Sequence, residues 1–230
     1  MTTLTDVQFH NVRFCYGEVC AVHGVDFPVA SRKMTLLVGP NGGGKSTLIK
    51  LLSGLIKPQD GSIERRSSLE IAYVPQDFYF DTTFPLTVGE LVLQGTLPRE
   101  IRPFRRYSAA QRERAAQAVS RVGLDGFEGR GIAQLSGGQL KRAVIARAFA
   151  SSADMIALDE PDASLDIDAA KELYSILRSL KDEKTIVMAS HNIEAALDIA
   201  DTAVYVNKKA VVFASPEDLK TALKGGISIC

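Results

Sequence analysis

Near the start of this chain, apolar and polar residues alternate in three short runs, Val7-Gln8-Phe9, Val12-Arg13-Phe14 and Val25-Asp26-Phe27. A period of two predicts half-buried strands, here an antiparallel sheet flanking the core. Four later runs are almost wholly apolar: Met34–Val38, Ile71–Val74, 155–158 and Thr185–Ala189. Lacking a polar face, they predict strands buried on both sides, as parallel strands are. Helical spacing fills the intervals. Ile167, Ala170, Leu173, Tyr174 and Leu177 share one helix face, and Ile193, Ala196, Leu197 and Ala200 share another. Strands alternating with helices give an α/β fold with a mostly parallel sheet covered on both sides.

Between residues 74 and 135 the pattern turns helical and charged, with prolines at 85, 98 and 103. Thr87-Val88-Gly89-Glu90 reads as a capping box opening a helix over 91–94, and 111–122 reads as a second helix. This stretch predicts a helical lobe inserted into the core. Towards the end, 203–206 and 210–213 predict a hairpin joined by Asn207-Lys208-Lys209. Ser215-Pro216-Glu217-Asp218 then caps a short helix.

Residues 39–46 bring in chemistry. Gly39-Pro40-Asn41-Gly42-Gly43-Gly44-Lys45-Ser46, followed by Thr47, fits Gly, four residues, Gly-Lys-Ser/Thr. It lies between a predicted buried strand and a helix over 48–52. Its glycines let successive N–H groups turn onto phosphate oxygens, and the helix adds its positive end. Lys45 supplies charge for the β- and γ-phosphates of ATP, and the Ser46 hydroxyl suits Mg²⁺.

Two further strings point to the same chemistry. Asp159 and Glu160 end a buried strand, at the sheet edge where α/β ligands bind. Asp159 suits Mg²⁺, and Glu160 suits the attacking water. Leu135-Ser136-Gly137-Gly138-Gln139 reads as a capping box, yet two glycines in a first helical turn cost about 1 kcal/mol each. Glycines there permit close approach of a phosphate to exposed N–H groups. One chain needs one phosphate loop, so this second turn predicts a site completed by another subunit.

Composition narrows the class. The length of 230 residues fits one large α/β domain, or a domain with a smaller lobe, and 46% hydrophobic content excludes disorder. Lysine plus arginine, 27, balances aspartate plus glutamate, 27, leaving no general field for nucleic acid. Arg99, Arg102, Arg105 and Arg106 form a local basic cluster. No apolar run approaches the roughly 18 residues that cross a bilayer, and the first six residues lack signal-peptide character. A cytoplasmic chain is expected. Cys15, Cys20 and Cys230 form no Cys-x-x-Cys pair and suit a reducing compartment. His10, Cys15, Cys20 and His23 match no zinc spacing, and ordinary packing is expected of them.

Residues 135–139 look like the signature sequence of ATP-binding cassette (ABC) ATPases, and the family's other motifs follow in its order from about residue 7 to 213. The resemblance implies one ABC ATPase domain over 1–230: a P-loop NTPase core of about 1–76 and 136–230, an N-terminal antiparallel β subdomain, and a helical subdomain of about 77–135. Tyr16 resembles the aromatic residue that stacks on adenine. Gln76 looks like the glutamine that senses Mg²⁺ and the attacking water. Ser164-Leu165-Asp166 resembles the loop crossing the dimer interface, and His191 the switch histidine that contacts the γ-phosphate. Asp162, where many relatives carry a small or hydroxyl residue, and Asn192, where aspartate is frequent, depart from the pattern. Neither replaces a phosphate, metal or water ligand, so only interface tuning is affected.

The resemblance further implies two cassettes, as a homodimer or a paired cassette, closing head to tail on two ATP molecules. Each phosphate loop faces the partner's Ser136, Gly137, Gly138, Gln139 and Asp166. A polytopic membrane permease and an extracytoplasmic solute-binding protein complete an importer, with this chain peripheral on the inner face of the cell membrane. Residues 76–90 are similar to the segment in zinc, manganese or iron importers, chiefly at Phe84-Pro85-Leu86-Thr87-Val88. Import of another small solute, or a soluble role in cofactor assembly, are the alternatives.

Overall fold

The computed structural model describes residues 4–77, 85–98, 106–163 and 165–224. The chain divides into two compact units, residues 1–76 with 154–163 and 177–230, and residues 77–153 with 164–176. Of the basic cluster, only Arg106 lies among the described residues; residues 78–84 and Ser164 lie outside them.

In the first unit, β1 (Thr5–Tyr16) and β2 (Val19–Ala30) pair antiparallel. β3 (Met34–Val38) enters a second sheet, and β4 (Asp60–Arg65) returns to the free side of β1. The three alternating runs therefore belong to two long strands. Register shifts between Phe9 and Val12 and between Val12 and Phe14 interrupt the alternation. β4 holds one apolar residue, Ile63, and as an exposed edge strand it needs no more.

Cys15 and Cys20 are direct partners across β1 and β2, and their sulfurs form a disulfide, S–S 2.09 Å. This corrects the expectation of separately packed thiols suited to a reducing compartment. The tight turn at Gly17-Glu18 puts positions five apart opposite each other, a pairing that cysteine spacing does not reveal.

The second sheet runs β5 (Ile71–Val74), β6 (Met155–Asp159), β7 (Thr185–Ala189), β3, β8 (Thr202–Asn207), β9 (Lys209–Phe213). All neighbours are parallel except β8 and β9. Every residue of β3, β6 and β7 is buried, as a strand covered on both faces requires. The β8–β9 turn is tighter than the sequence suggests. Asn207 pairs with Lys209, and Lys208 alone turns the chain at φ 59°. Helix α1 (Lys45–Leu52) packs on β6 and β7.

The second unit is helical. α2 (Val88–Gln94), α3 (Ala109–Arg121) and α4 (Gly137–Ala150) pack on one another, and α5 (Ile167–Leu180) begins there. Capping boxes open three of these helices, Thr87/Glu90, Ser108/Gln111 and Ser136/Gln139. Ser108 starts α3 two residues before the expected 111, because Gln111 is the box's third helical position. This unit takes in α4, which the sequence reading places with the core.

The first unit's core stands on facing aromatics. Phe9 and Phe27 are register partners, fully buried, and stack with ring centroids 4.5 Å apart. Phe9→Ala should cost about 3–5 kcal/mol, read as a lower urea midpoint at unchanged m-value. A loss near zero would show that the sheet does not depend on this pair.

Candidate functional site

Four parallel strands deliver side chains to one edge of the second sheet. The loop after β3 carries residues 39–47, β5 leads to Gln76, β6 ends in Asp159 and continues to Glu160, and β7 leads to His191. Asp159 is level with Ala189 and Leu37 with Ala189, so these strand ends align. Parallel register is what brings together residues more than a hundred positions apart.

The loop after β3 leaves no room for side chains at Gly43 and Gly44. A Cβ on Gly44, at φ 105°, would lie 2.7 Å from Val22 Cγ1, and one on Gly43 would lie 2.6 Å from the Val206 carbonyl oxygen. Lys208 fastens the loop further: its N–H donates to the Gly43 carbonyl (2.8 Å), and its carbonyl accepts from the His23 N–H (2.7 Å). Lys45 follows Gly44 as the first helical residue, with only 4% of its surface exposed. Its Nζ donates to the carbonyls of Gly39 (3.0 Å) and Pro40 (3.1 Å). Burial pushes the ammonium below its ordinary pKa, while Glu160 and Asp159 pull it back up.

Asp159 and Glu160 are 2% and 5% exposed. The Ser46 hydroxyl donates to Asp159 Oδ1 at 2.9 Å. Burial nevertheless raises the Asp159 pKa, with the Glu160 charge adding to the rise and the Ser46 bond opposing it. Glu160 sits at φ 47°, the left-handed region that non-glycine residues seldom occupy, and its N–H donates to the Ala189 carbonyl (3.0 Å). Its carboxylate meets His191 Nε2 at 2.6 Å, the Gln76 side-chain N–H at 2.8 Å and Lys45 Nζ at 3.9 Å. In β5, the Tyr73 hydroxyl is pushed up to about 12 by burial, with the Asp159 and Tyr16 charges adding to it.

Lys45, Ser46, Gln76, Glu160 and His191 border one open cavity of about 480 Å³, and Asp159 lies behind Ser46, outside its lining. Tyr16 stands at its rim, 52% exposed and edge-on to Phe14 at 4.9 Å. The cavity thus gathers Tyr16, phosphate-loop residues 41, 42 and 44–47, Gln76, Glu160 and His191. Gly39 and Pro40 serve through their carbonyls. Sequence reasoning does not find Lys208 and Cys20, which also line it; a lysine in a hairpin turn and a cysteine in a strand carry no signal of a site.

Among the described residues, Ser136, Gly137, Gly138, Gln139 and Asp166 do not line this cavity. Ser136 accepts from the Gln139 N–H, and Gln139 accepts from the Ser136 N–H, closing the capping box. Asp166 Oδ1 accepts from the Ala169 N–H at 2.8 Å at the start of α5. A Cβ on Gly137 would meet nothing within 4 Å, and one on Gly138 only the Leu165 side chain at 3.6 Å, an ordinary contact. Among the described residues, neither position is too crowded for a side chain.

The chain matches the family described as ABC transporter over residues 22–163. It is 36% identical over 225 residues to the manganese transport system ATP-binding protein MntB of Listeria monocytogenes, covering 95% of this chain and 93% of that protein. To the zinc import ATP-binding protein ZnuC of Rhizobium etli it is 34% identical, covering 92% of this chain and 64% of that protein. A putative metal-chelate type ABC transporter, solved facing inward, shares the fold at TM-score 0.82 and 28% identity, over 94% of this chain and 85% of that one. A bacterial ABC transporter cassette solved as a dimer matches at TM-score 0.72 and 26% identity, over 89% and 96% of the two chains.

The buried Asp159 carboxylate has a consequence for the nucleotide-free chain. Its raised pKa means that stability is fully present at low pH and is lost as pH rises through the folded-state value. Asp159→Asn keeps an oxygen for Ser46 and removes that charge. It should raise the thermal midpoint by a few degrees at about pH 8, and the gain should vanish at about pH 4. A lower midpoint at the higher pH would count against the burial argument.

Proposed function

Because this chain belongs to the ABC transporter family, whose cassettes bind and hydrolyse ATP, we propose that it powers import of a metal ion. The ion is zinc, manganese or iron, and it passes through a separate polytopic membrane subunit. The observation that carries the hydrolytic part is one carboxylate: Glu160, almost wholly buried, held between His191 and Gln76 beside the phosphate loop.

Roles follow from this geometry. Glu160 orients and polarises the attacking water, and His191, hydrogen-bonded to it, contacts the γ-phosphate. Gln76, bonded to that carboxylate, senses Mg²⁺ and the attacking water. Lys45 turns from the Gly39 and Pro40 carbonyls to the β- and γ-phosphates, where a charge that has already lost its water acts strongly. N–H groups of residues 39–47 cradle the phosphates at the start of α1. Tyr16 stacks on adenine from the cavity rim.

The site also suits Mg²⁺. Ser46 and Asp159 present hard oxygen donors 2.9 Å apart, and Asp159 is a carboxylate whose burial leaves it short of compensating charge. With Gln76 they would hold the ion, which when bound offsets phosphate charge.

The open Gly137 and Gly138 support a site completed in trans. They weaken the first turn of α4, and among the described residues nothing crowds a side chain out of either position, which supports a use for them in a second cassette. Ser136, Gly137, Gly138, Gln139 and Asp166 then meet the ATP held by the partner's phosphate loop. A related cassette is dimeric, which agrees with this reading. In this reading the pore belongs to another chain, with this one on the inner face of the membrane; among the described residues no helix is long and apolar enough to cross it. The metal cargo, brought by an extracytoplasmic binding protein, is supported by relatives named for manganese and zinc transport.

Glu160→Gln should cut ATP turnover at least about a hundredfold and leave a stable ATP-bound dimer, seen by size-exclusion chromatography. Turnover at the wild-type rate would remove Glu160 from catalysis. Ser136→Arg should abolish ATP-driven dimerisation while ATP binding to the monomer persists. Normal dimerisation by that variant would count against the trans site. The cargo is tested by purifying the chain with its membrane subunit and measuring ATPase in vesicles. Stimulation by zinc, manganese or iron is expected, and indifference to all three would overturn metal import.

A further inference from the structure

Asp162 lies two residues beyond Glu160, in the turn that follows β6. Ser190 lies in the turn that follows β7 and is completely buried. The Ser190 hydroxyl donates to Asp162 Oδ2 at 2.6 Å and accepts from the Asn192 N–H at 3.0 Å. A hydroxyl has one hydrogen to give, and here it goes to the carboxylate. A second bond joins the same two turns, from the Glu160 N–H to the Ala189 carbonyl at 3.0 Å. The Ser190 N–H also donates to the Leu37 carbonyl at 3.2 Å, tying this turn to β3.

His191 is therefore bracketed. The residue before it is held by its own N–H and by its hydroxyl, and the residue after it is held by that same hydroxyl. Between these anchors the imidazole projects to Glu160, with Nε2 2.6 Å from Oε1. The imidazole is 43% exposed, so burial alone does not fix its direction. The anchored backbone supplies what packing does not.

We infer that Asp162 is a positioning residue for ATP hydrolysis: its carboxylate orders the Ser190 hydroxyl and so holds His191 on Glu160. The inference rests on the hydrolytic roles proposed for Glu160 and His191. Asp162 touches neither water nor phosphate in this scheme and acts through Ser190. A neutral acceptor of the same shape should serve, and an apolar side chain should not.

The test measures kcat and KM for ATP in the full chain carrying Asp162→Ala, Asp162→Asn or Ser190→Ala, alone and combined with His191→Ala. Asp162→Ala and Ser190→Ala should each lower kcat about tenfold, with KM for ATP changed less than about twofold. Asp162→Asn, whose amide oxygen still accepts from Ser190, should recover most of the loss. Combining Asp162→Ala with Ser190→Ala should cost no more than either change alone, since both remove one link. In the His191→Ala background, Asp162→Ala should lower kcat no further.

Equal kcat for the Asn and Ala variants of Asp162 would overturn the inference. So would a further loss in the His191→Ala background, which would mean that Asp162 acts elsewhere. If His191→Ala itself turns over like wild type, the assignment of His191 fails and the positioning role fails with it. If His191→Ala is inactive while Asp162→Ala is unaffected, only the positioning role is refuted. Circular dichroism and ATP binding by each variant separate a folding defect from a loss of positioning.

Discussion

A lysine ammonium and two carboxylates, all nearly stripped of water, meet at one edge of a parallel sheet, and the rest of the structure answers to that arrangement. Such charges are costly to bury unless each finds a partner. Lys45 uses two backbone carbonyls, Asp159 a serine hydroxyl, and Glu160 a histidine and an amide. Burial still pushes the Lys45 pKa down and the Asp159 pKa up, so each charge keeps part of the cost of losing water. A ligand rich in oxygen and negative charge, accompanied by a cation, completes what the fold leaves unbalanced.

Holding those groups in place demands a backbone packed too closely for side chains. The phosphate loop lies against the Val206 carbonyl on β8 and against Ala21 and Val22 on β2, leaving space only for hydrogens at Gly43 and Gly44. Lys208, at the turn after β8, bonds both the loop and β2. The antiparallel sheet and the parallel sheet are thus joined through the loop that takes the phosphates. An ordinary side chain at Gly43 would push apart the layers that form the cavity.

Much of this is legible in the chain itself. The buried strands β3, β6 and β7 appear as apolar runs, and the phosphate loop and carboxylate pair appear as short strings, because local spacing alone specifies them. β5 has the same apolar run but is only partly buried, because it is the edge strand of its sheet. What stays hidden depends on pairing across distance. The Cys15–Cys20 bond needs the hairpin register, β4 has too few apolar residues to announce a strand, and Lys208 reaches the site only through a one-residue turn. Asp162 shows the same limit. The sequence marks it as a departure from family habit with no ligand to replace, and only the folded chain gives it Ser190 as a partner.

Tyr16 carries an implication of another kind. A ring offering its face to a base measures stacking area and takes no account of the pattern of donors and acceptors around the base's edge. On the hairpin side the cavity is lined by Tyr16, Val19, Cys20 and Ala21, none with a side-chain amide or carboxylate to read that edge. Under the stacking proposed for Tyr16, this wall of the cavity holds the purine by its face, and telling adenine from guanine is left to groups outside the hairpin.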